Sequence, residues 1–176
     1  MSDVPSERGH AGVLVTGVYG AGKTSVVEEI AQVLQEKALP YAAIDLDWLG
    51  WFDAGWDDDE AEHQLICRNL EAVIANYRSA GIRFFVLALS IGSETELNSI
   101  RVSLSMPLQV IRLDVDLATI TERLQPDVTT ARQVDLHWAE AWLAEGKGVG
   151  LEDFVVANDR PIRVVATEIL GLLGWH

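Results

Sequence analysis

Cysteine occurs once, as Cys67, so no disulfide can form within the chain and the fold must rest on its apolar core. That thiol lies in the helical-looking run from Gln64 to Leu70 and reads as a small buried hydrophobe. Basic residues are scarce too: 13 Lys and Arg face 27 Asp and Glu, a formal net charge of −14. Proteins that grip a nucleic-acid backbone concentrate lysine and arginine on one face, so a nucleic-acid partner is excluded. Any anion site must then be built locally, from a few cations and backbone amides. No apolar run approaches the ~20 residues of a membrane-spanning helix, which excludes a membrane partner. The opening stretch, Met1 to His10, is polar and has no apolar segment of the kind that marks a secretory leader. The expectation is a cytoplasmic protein. What is present suits one domain: 176 residues, 49% hydrophobic, enough for a proper core. We place that domain at 11–176, behind a flexible tail at 1–10.

Short apolar runs alternate with longer amphipathic ones. Strands are expected at Ala11–Thr16, Tyr41–Ile44, Ile82–Leu89, Leu108–Leu113 and Phe154–Ala157. The third is continuously apolar, as a parallel strand covered on both faces must be. Helices are expected at about 22–37, 61–79, from Ser93, at 117–124, 130–145 and 161–173. Ser93 with Glu96 reads as a capping box, and Pro161 as a first-turn proline. Repeated β-α units make a three-layer α/β/α sandwich on a five-stranded parallel sheet. Ligands of such sheets sit at the carboxyl ends of the strands.

At the first of those ends lies Gly17-Val18-Tyr19-Gly20-Ala21-Gly22-Lys23-Thr24, which fits G-x-x-x-x-G-K-[ST] at every fixed position. An apolar strand precedes it and a helical run opening at Ser25 follows. Glycines let the backbone wrap closely round a phosphate with its N–H groups turned inward. The following helix adds its positive dipole end. Lys23 then reaches the β- and γ-phosphates, and the Thr24 hydroxyl is placed to ligate Mg²⁺. The bland alternative is a Gly-rich turn with a snorkelling lysine. Motif and context together favour a P-loop NTPase sandwich that binds ATP through Gly17, Tyr19, Gly20, Ala21, Gly22, Lys23, Thr24 and Ser25.

The second strand ends in Asp45-Leu46-Asp47. On an extended chain residues two apart point the same way, which turns both carboxylates toward the mouth beside the phosphate loop. Two acids there can divide the work, one holding Mg²⁺ and the other accepting a proton from an acceptor hydroxyl. A solvated turn is the plain alternative.

With these residues the chain resembles the small P-loop kinases, a group that holds adenylate, shikimate, gluconate and adenylylsulfate kinases and chloramphenicol phosphotransferase. The phosphate loop and the Ala43–Asp47 segment carry the resemblance, which runs in order through nearly the whole chain. It implies Asp45 near Mg²⁺, with Thr24, and Asp47 as substrate ligand and base, or the two exchanged. It implies that Thr121-Glu122-Arg123-Leu124 opens a helical lid at about 117–146, with Arg123 on adenine or phosphate. Arg101 falls where several members place a substrate-side arginine, and Asn158 to Arg160 on the loop that passes the adenine. Two positions depart from the group. Many members end the third strand with a magnesium-orienting aspartate, where this chain has Ser90. The second lid arginine is absent at Asp127; the next is Arg132, which can either neutralise transferring charge or lie on a helix surface.

The segment from Trp48 to Glu60 is the most unusual in composition, with Trp48, Trp51 and Trp56 among acids. In this group the insert between the second and third strands forms the acceptor pocket. Trp48 and Trp51 can stack on a planar or sugar-like acceptor, or can pack the edge of the core. The run Asp57 to Glu60 reads as an electrostatic cap on the next helix. The leading reading is a phosphotransferase that moves the γ-phosphoryl of ATP to a hydroxyl of a small molecule. A nucleotide-binding or NTP-hydrolysing module with a protein partner stands second, and a nucleotide kinase third.

Overall fold

The computed structural model describes residues 9–52, 55, 59–124 and 130–175, with residues 59 and 130–135 described by backbone alone. Its strands are β1 (Ala11–Thr16), β2 (Tyr41–Asp45), β3 (Phe84–Ala88), β4 (Leu108–Asp114) and β5 (Phe154–Ala157). Its helices are α1 (Lys23–Glu36), α2 (Leu46–Leu49), α3 (Asp59–Ser79), α4 (Glu94–Leu104), α5 (Leu117–Leu124), α6 (Thr130–Ala144) and α7 (Ile162–Leu173). The five strands form one sheet in the order β2-β3-β1-β4-β5, and every pairing is parallel. The central strand β1 is therefore the one that feeds the phosphate loop.

Alternation along the strands explains the layers, since successive side chains face opposite ways. Val13, Val15, Val86, Ala88, Ile111 and Leu113 face α1 and α7, where they meet Ile30, Leu34, Val165 and Ile169. Leu14, Phe85, Leu87 and Val110 face the other way, against Leu70 and Ile74 of α3 and Leu97, Ile100 and Leu104 of α4. Both faces of the sheet are thus dry, as the apolar third strand required.

Local signals set most of the boundaries. The Ser93 hydroxyl accepts from the Glu96 amide at 3.3 Å and caps α4, while the Glu96 carboxylate reaches back to the Gly92 amide at 2.9 Å. Pro161 caps α7 rather than filling its first turn, with Ile162 the first helical residue. The largest difference from expectation is α2, because the chain turns helical straight after β2 instead of running on as a loop. Asp45 drives this by capping: its Oδ1 accepts from the Asp47 amide at 3.1 Å, and Leu46 is driven into the core. Cys67 is half-buried rather than fully buried, its Sγ 3.6 Å from Nε2 of His63 one turn earlier. Among the described residues no helix is long and apolar enough to cross a membrane.

Candidate functional site

The phosphate loop joins β1 to α1 at the centre of the sheet's carboxyl edge. Gly22 has φ +90°, in the left-handed region, and a Cβ there would sit 2.8 Å from the Asn158 amide nitrogen. Only glycine satisfies both the dihedral and the contact. At Gly20, φ +80°, a Cβ would sit 3.0 Å from Ile120 of α5. The first turn of α1 contains no acid and receives no side-chain cap, so its amides and dipole are left for an anion.

Lys23 is buried, with 7% of its surface exposed. Its ammonium donates to the carbonyls of Gly17 and Val18, both at 3.2 Å, folding back over the loop it serves. Burial lowers its pKa from 10.5 to about 8, against the opposing pull of Asp47 and Asp45. The Thr24 hydroxyl donates to Oδ2 of Asp45 at 2.7 Å, across 21 residues of sequence. These are two hard oxygens of the kind Mg²⁺ takes, and they meet where the motif requires them, so the donor set fits that ion. Among the described residues no group of three or more His, Cys, Asp or Glu side chains gathers into a metal cage. A Mg²⁺ ion that draws most of its ligands from phosphate and water needs none.

Asp47 lines the same hollow, about 430 Å³ in volume, together with Tyr19, Lys23, Thr24, Ser25 and Arg123. The structure thus brings Asp45 and Asp47 to one mouth, though not by the extended geometry anticipated. Asp45 ends the strand, and Asp47 reaches the site from the first turn of α2. Burial, reinforced by the Asp45 charge, raises the Asp47 pKa above the usual carboxylate range, with Lys23 pulling the other way.

The opposite wall is a hydrogen-bonded clasp centred on the Ala21 carbonyl. Asn158, buried at the end of β5, donates to it at 2.7 Å, and Arg123 Nη1 donates to it at 3.3 Å. Arg123 Nη2 donates to the Asn158 carbonyl at 2.6 Å, which ties α5 to the loop after β5. Ser90, where the aspartate is lacking, donates to the Gly17 carbonyl at 3.0 Å and braces the loop from β3.

Other expected residues lie elsewhere. Arg160 is engaged by Glu168 at 2.7 Å and does not line the hollow. Arg101 donates to Asn98 on its own helix at 3.5 Å, also outside the lining. Arg132 lies on α6 with its side chain outside the described residues, as is Trp56 entirely. Trp48 and Trp51 are 67% and 75% exposed, so they do not pack the core edge. They lean on each other instead, ring centroids 4.7 Å apart.

Neither a protein-family model nor a curated protein sequence matches the chain. Solved structures do. The fold superposes on the tunicamycin resistance protein of Deinococcus radiodurans with a TM-score of 0.71 and 20% identity, over 96% of this chain and 98% of that one. A sugar kinase from Janibacter sp. HTCC2649 follows at 0.67 and 19%, over 94% and 95%. A shikimate kinase from Bacteroides thetaiotaomicron gives 0.64 and 16%, over 93% and 98%. The chain has the fold of the small P-loop kinases. At these identities the likeness is one of fold, and chemistry must be argued from the hollow itself.

On this P-loop kinase fold one open groove was not foreseen. It runs between α3 and α4, about 570 Å³, and His63, Cys67, Arg68, Asn98 and Ser99 are among its lining residues. Its signal in the sequence is polar and small residues at i, i+3/i+4 spacing on both helices, a pattern that an outward helix face produces equally well.

Proposed function

We propose that this protein is an ATP-dependent phosphotransferase that moves the γ-phosphoryl of ATP to a hydroxyl of a small molecule. The observation that carries this reading is that Thr24 and Asp47 line one phosphate-loop hollow, with Asp45 held beside it by the Thr24 hydroxyl. The sugar kinase and shikimate kinase among the structural neighbours support it at the level of fold.

In this reading the loop amides and Lys23 hold the triphosphate, for which Lys23 must leave the Gly17 and Val18 carbonyls. Thr24 and Asp45 would hold Mg²⁺, which neutralises phosphate charge when bound. Asp47, its basicity raised by burial, takes the proton of the acceptor hydroxyl as that oxygen bonds the γ-phosphorus. The bond from the γ-phosphorus to the bridging oxygen breaks, and ADP leaves. Arg123 lies on the triphosphate side, positioned by Asn158. Lys23 and Arg123 are the only cations lining the hollow among the described residues, which leaves none spare for an acceptor phosphate and disfavours a nucleotide kinase.

Arg123→Ala should raise KM for ATP about tenfold or more, the usual weight of a charge-assisted hydrogen bond. Arg123→Lys should restore little, since a lysine cannot reach two carbonyls at once. Steady-state kinetics decide this; an unchanged KM would make the clasp purely structural. The reading as a whole is tested by ATP consumption across a panel of hydroxylated metabolites, nucleosides and antibiotics. Stimulation by at least one class is expected, whereas stimulation only by a protein would favour a nucleotide-hydrolysing module.

A further inference from the structure

Arg83 stands at the amino edge of the sheet, the end opposite the phosphate loop, directly before β3. Its backbone is engaged: the amide donates to the Pro40 carbonyl at 3.1 Å, and the carbonyl accepts from the Ala11 amide at 3.0 Å. Its guanidinium is not. Nε and Nη2 are buried and have no hydrogen-bond partner among the described residues. The group rests instead on a ring face, its Cζ 5.8 Å from the Phe84 centroid, and Phe84 in turn packs on Trp175 with ring centroids 4.8 Å apart. Stacking occupies the face of a guanidinium and leaves its N–H edge unpaired. Buried donors in native proteins nearly always have partners, so this edge calls for one.

A second hollow, of about 210 Å³, opens at this point, with Arg83 in its wall beside Ala11, Leu39, Phe84 and Trp175. Glycines complete the lining, so among the described residues Arg83 brings the only charge to it. The two orphaned nitrogens form one edge of the guanidinium fork, the edge that takes a carboxylate through two parallel hydrogen bonds. One cation amid apolar walls balances one negative charge. A doubly charged phosphate would leave an unpaired charge there, and an uncharged ligand would leave the guanidinium as it is. The volume falls below the roughly 300–1,000 Å³ of drug-sized sites, so the group that enters is small.

We propose that this hollow is a carboxylate-binding site, in which Arg83 grips the carboxylate through Nε and Nη2 while Phe84 and Trp175 cover the carbon body behind it. The site lies apart from the phosphate loop and does not depend on the phosphotransferase reading. Two sources supply the same chemistry. One is a small free monocarboxylate. The other is the chain itself: Gly9 lines the hollow, and Glu7, outside the described residues, stands two positions earlier, where an extended chain turns its side chain the same way.

Calorimetric titration with benzoate and 2-methylpropanoate, each compared with its uncharged amide, tests this in the wild type, Glu7→Gln and Arg83→Met. With a free source, at least one carboxylate should bind the wild type about tenfold or more tightly than its amide, the weight of a charge-assisted hydrogen bond. If Glu7 fills the hollow, the same preference should appear only in Glu7→Gln, which should also melt below the wild type. Adding Arg83→Met to whichever protein shows the preference should remove it. Arg83→Lys keeps the charge but cannot make the paired grip, so it should lose most of the preference and stands in where Arg83→Met does not fold. No preference in either the wild type or Glu7→Gln, or one that survives the Arg83 substitutions, overturns the inference.

Discussion

Asp47→Asn should lower kcat by about 10²–10⁴-fold, the usual weight of a general base, while leaving the stabilisation by Mg²⁺·ATP intact. The split follows from geometry. Asp47 lines the hollow but receives neither the Thr24 hydroxyl nor a backbone cap; both go to Asp45. Asp45→Asn should act differently, changing the Mg²⁺ dependence rather than the chemical step. The same assignment predicts the pH profile of kcat/KM, which reports the free enzyme. Asp47 must be deprotonated, so activity falls as pH drops through its raised pKa, above the ordinary aspartate range. Lys23 must be protonated, so activity also falls above about pH 8. In kcat the alkaline limb should move upward, because a bound triphosphate holds the lysine's proton. Wild-type turnover in Asp47→Asn would leave that carboxylate as a helix-end charge.

Lys23→Met should abolish most of the ATP-induced thermal shift and, in the unliganded protein, raise the melting temperature. A ligand at 100 times its dissociation constant contributes roughly 2.7 kcal/mol, about 5–11 °C for a domain of this size. That shift is what the variant loses. The gain without ligand has a separate cause. Lowering the lysine pKa from 10.5 to about 8 implies that burying the ammonium costs on the order of 3 kcal/mol. Methionine keeps the apolar stem and removes the charge. The two carbonyls left behind retain partners, Gly17 through Ser90 and Val18 through the Ala21 amide. A rise of a few degrees is expected. Between about pH 8 and 10.5 the unfolded chain holds a proton on Lys23 that the folded chain has released. The wild type therefore gains stability with rising pH across that window, and Lys23→Met should lose the slope. A fall in melting temperature would show that the buried ammonium stabilises the loop.

The parts legible in the sequence were those set by local spacing. The glycines and Lys23-Thr24 mark their loop within eight residues, and the apolar runs mark the five strands. Asp45-Leu46-Asp47 shows where such reasoning stops. The same-face argument assumes an extended chain, but a strand-ending aspartate is also a good helix cap, and here capping won. The two carboxylates still meet, because the cap keeps α2 at the mouth. The bond from Thr24 to Asp45, the hold of Arg123 and Asn158 on the Ala21 carbonyl, and the Ser90 brace depend on strand order, which local pattern does not carry. Trp48 and Trp51 illustrate the same limit, since composition fits a core edge and an exposed platform equally well, and only packing distinguishes them.

What defines the proposed activity is transfer of the γ-phosphoryl group to an organic hydroxyl. The direct measurement is the fate of γ-labelled ATP, incubated with the protein, Mg²⁺ and an acceptor that stimulates consumption. Label should appear in a phosphate ester of that acceptor, formed in step with ADP and lost in Asp47→Asn. Label found only as inorganic phosphate, at a rate no acceptor changes, would contradict it.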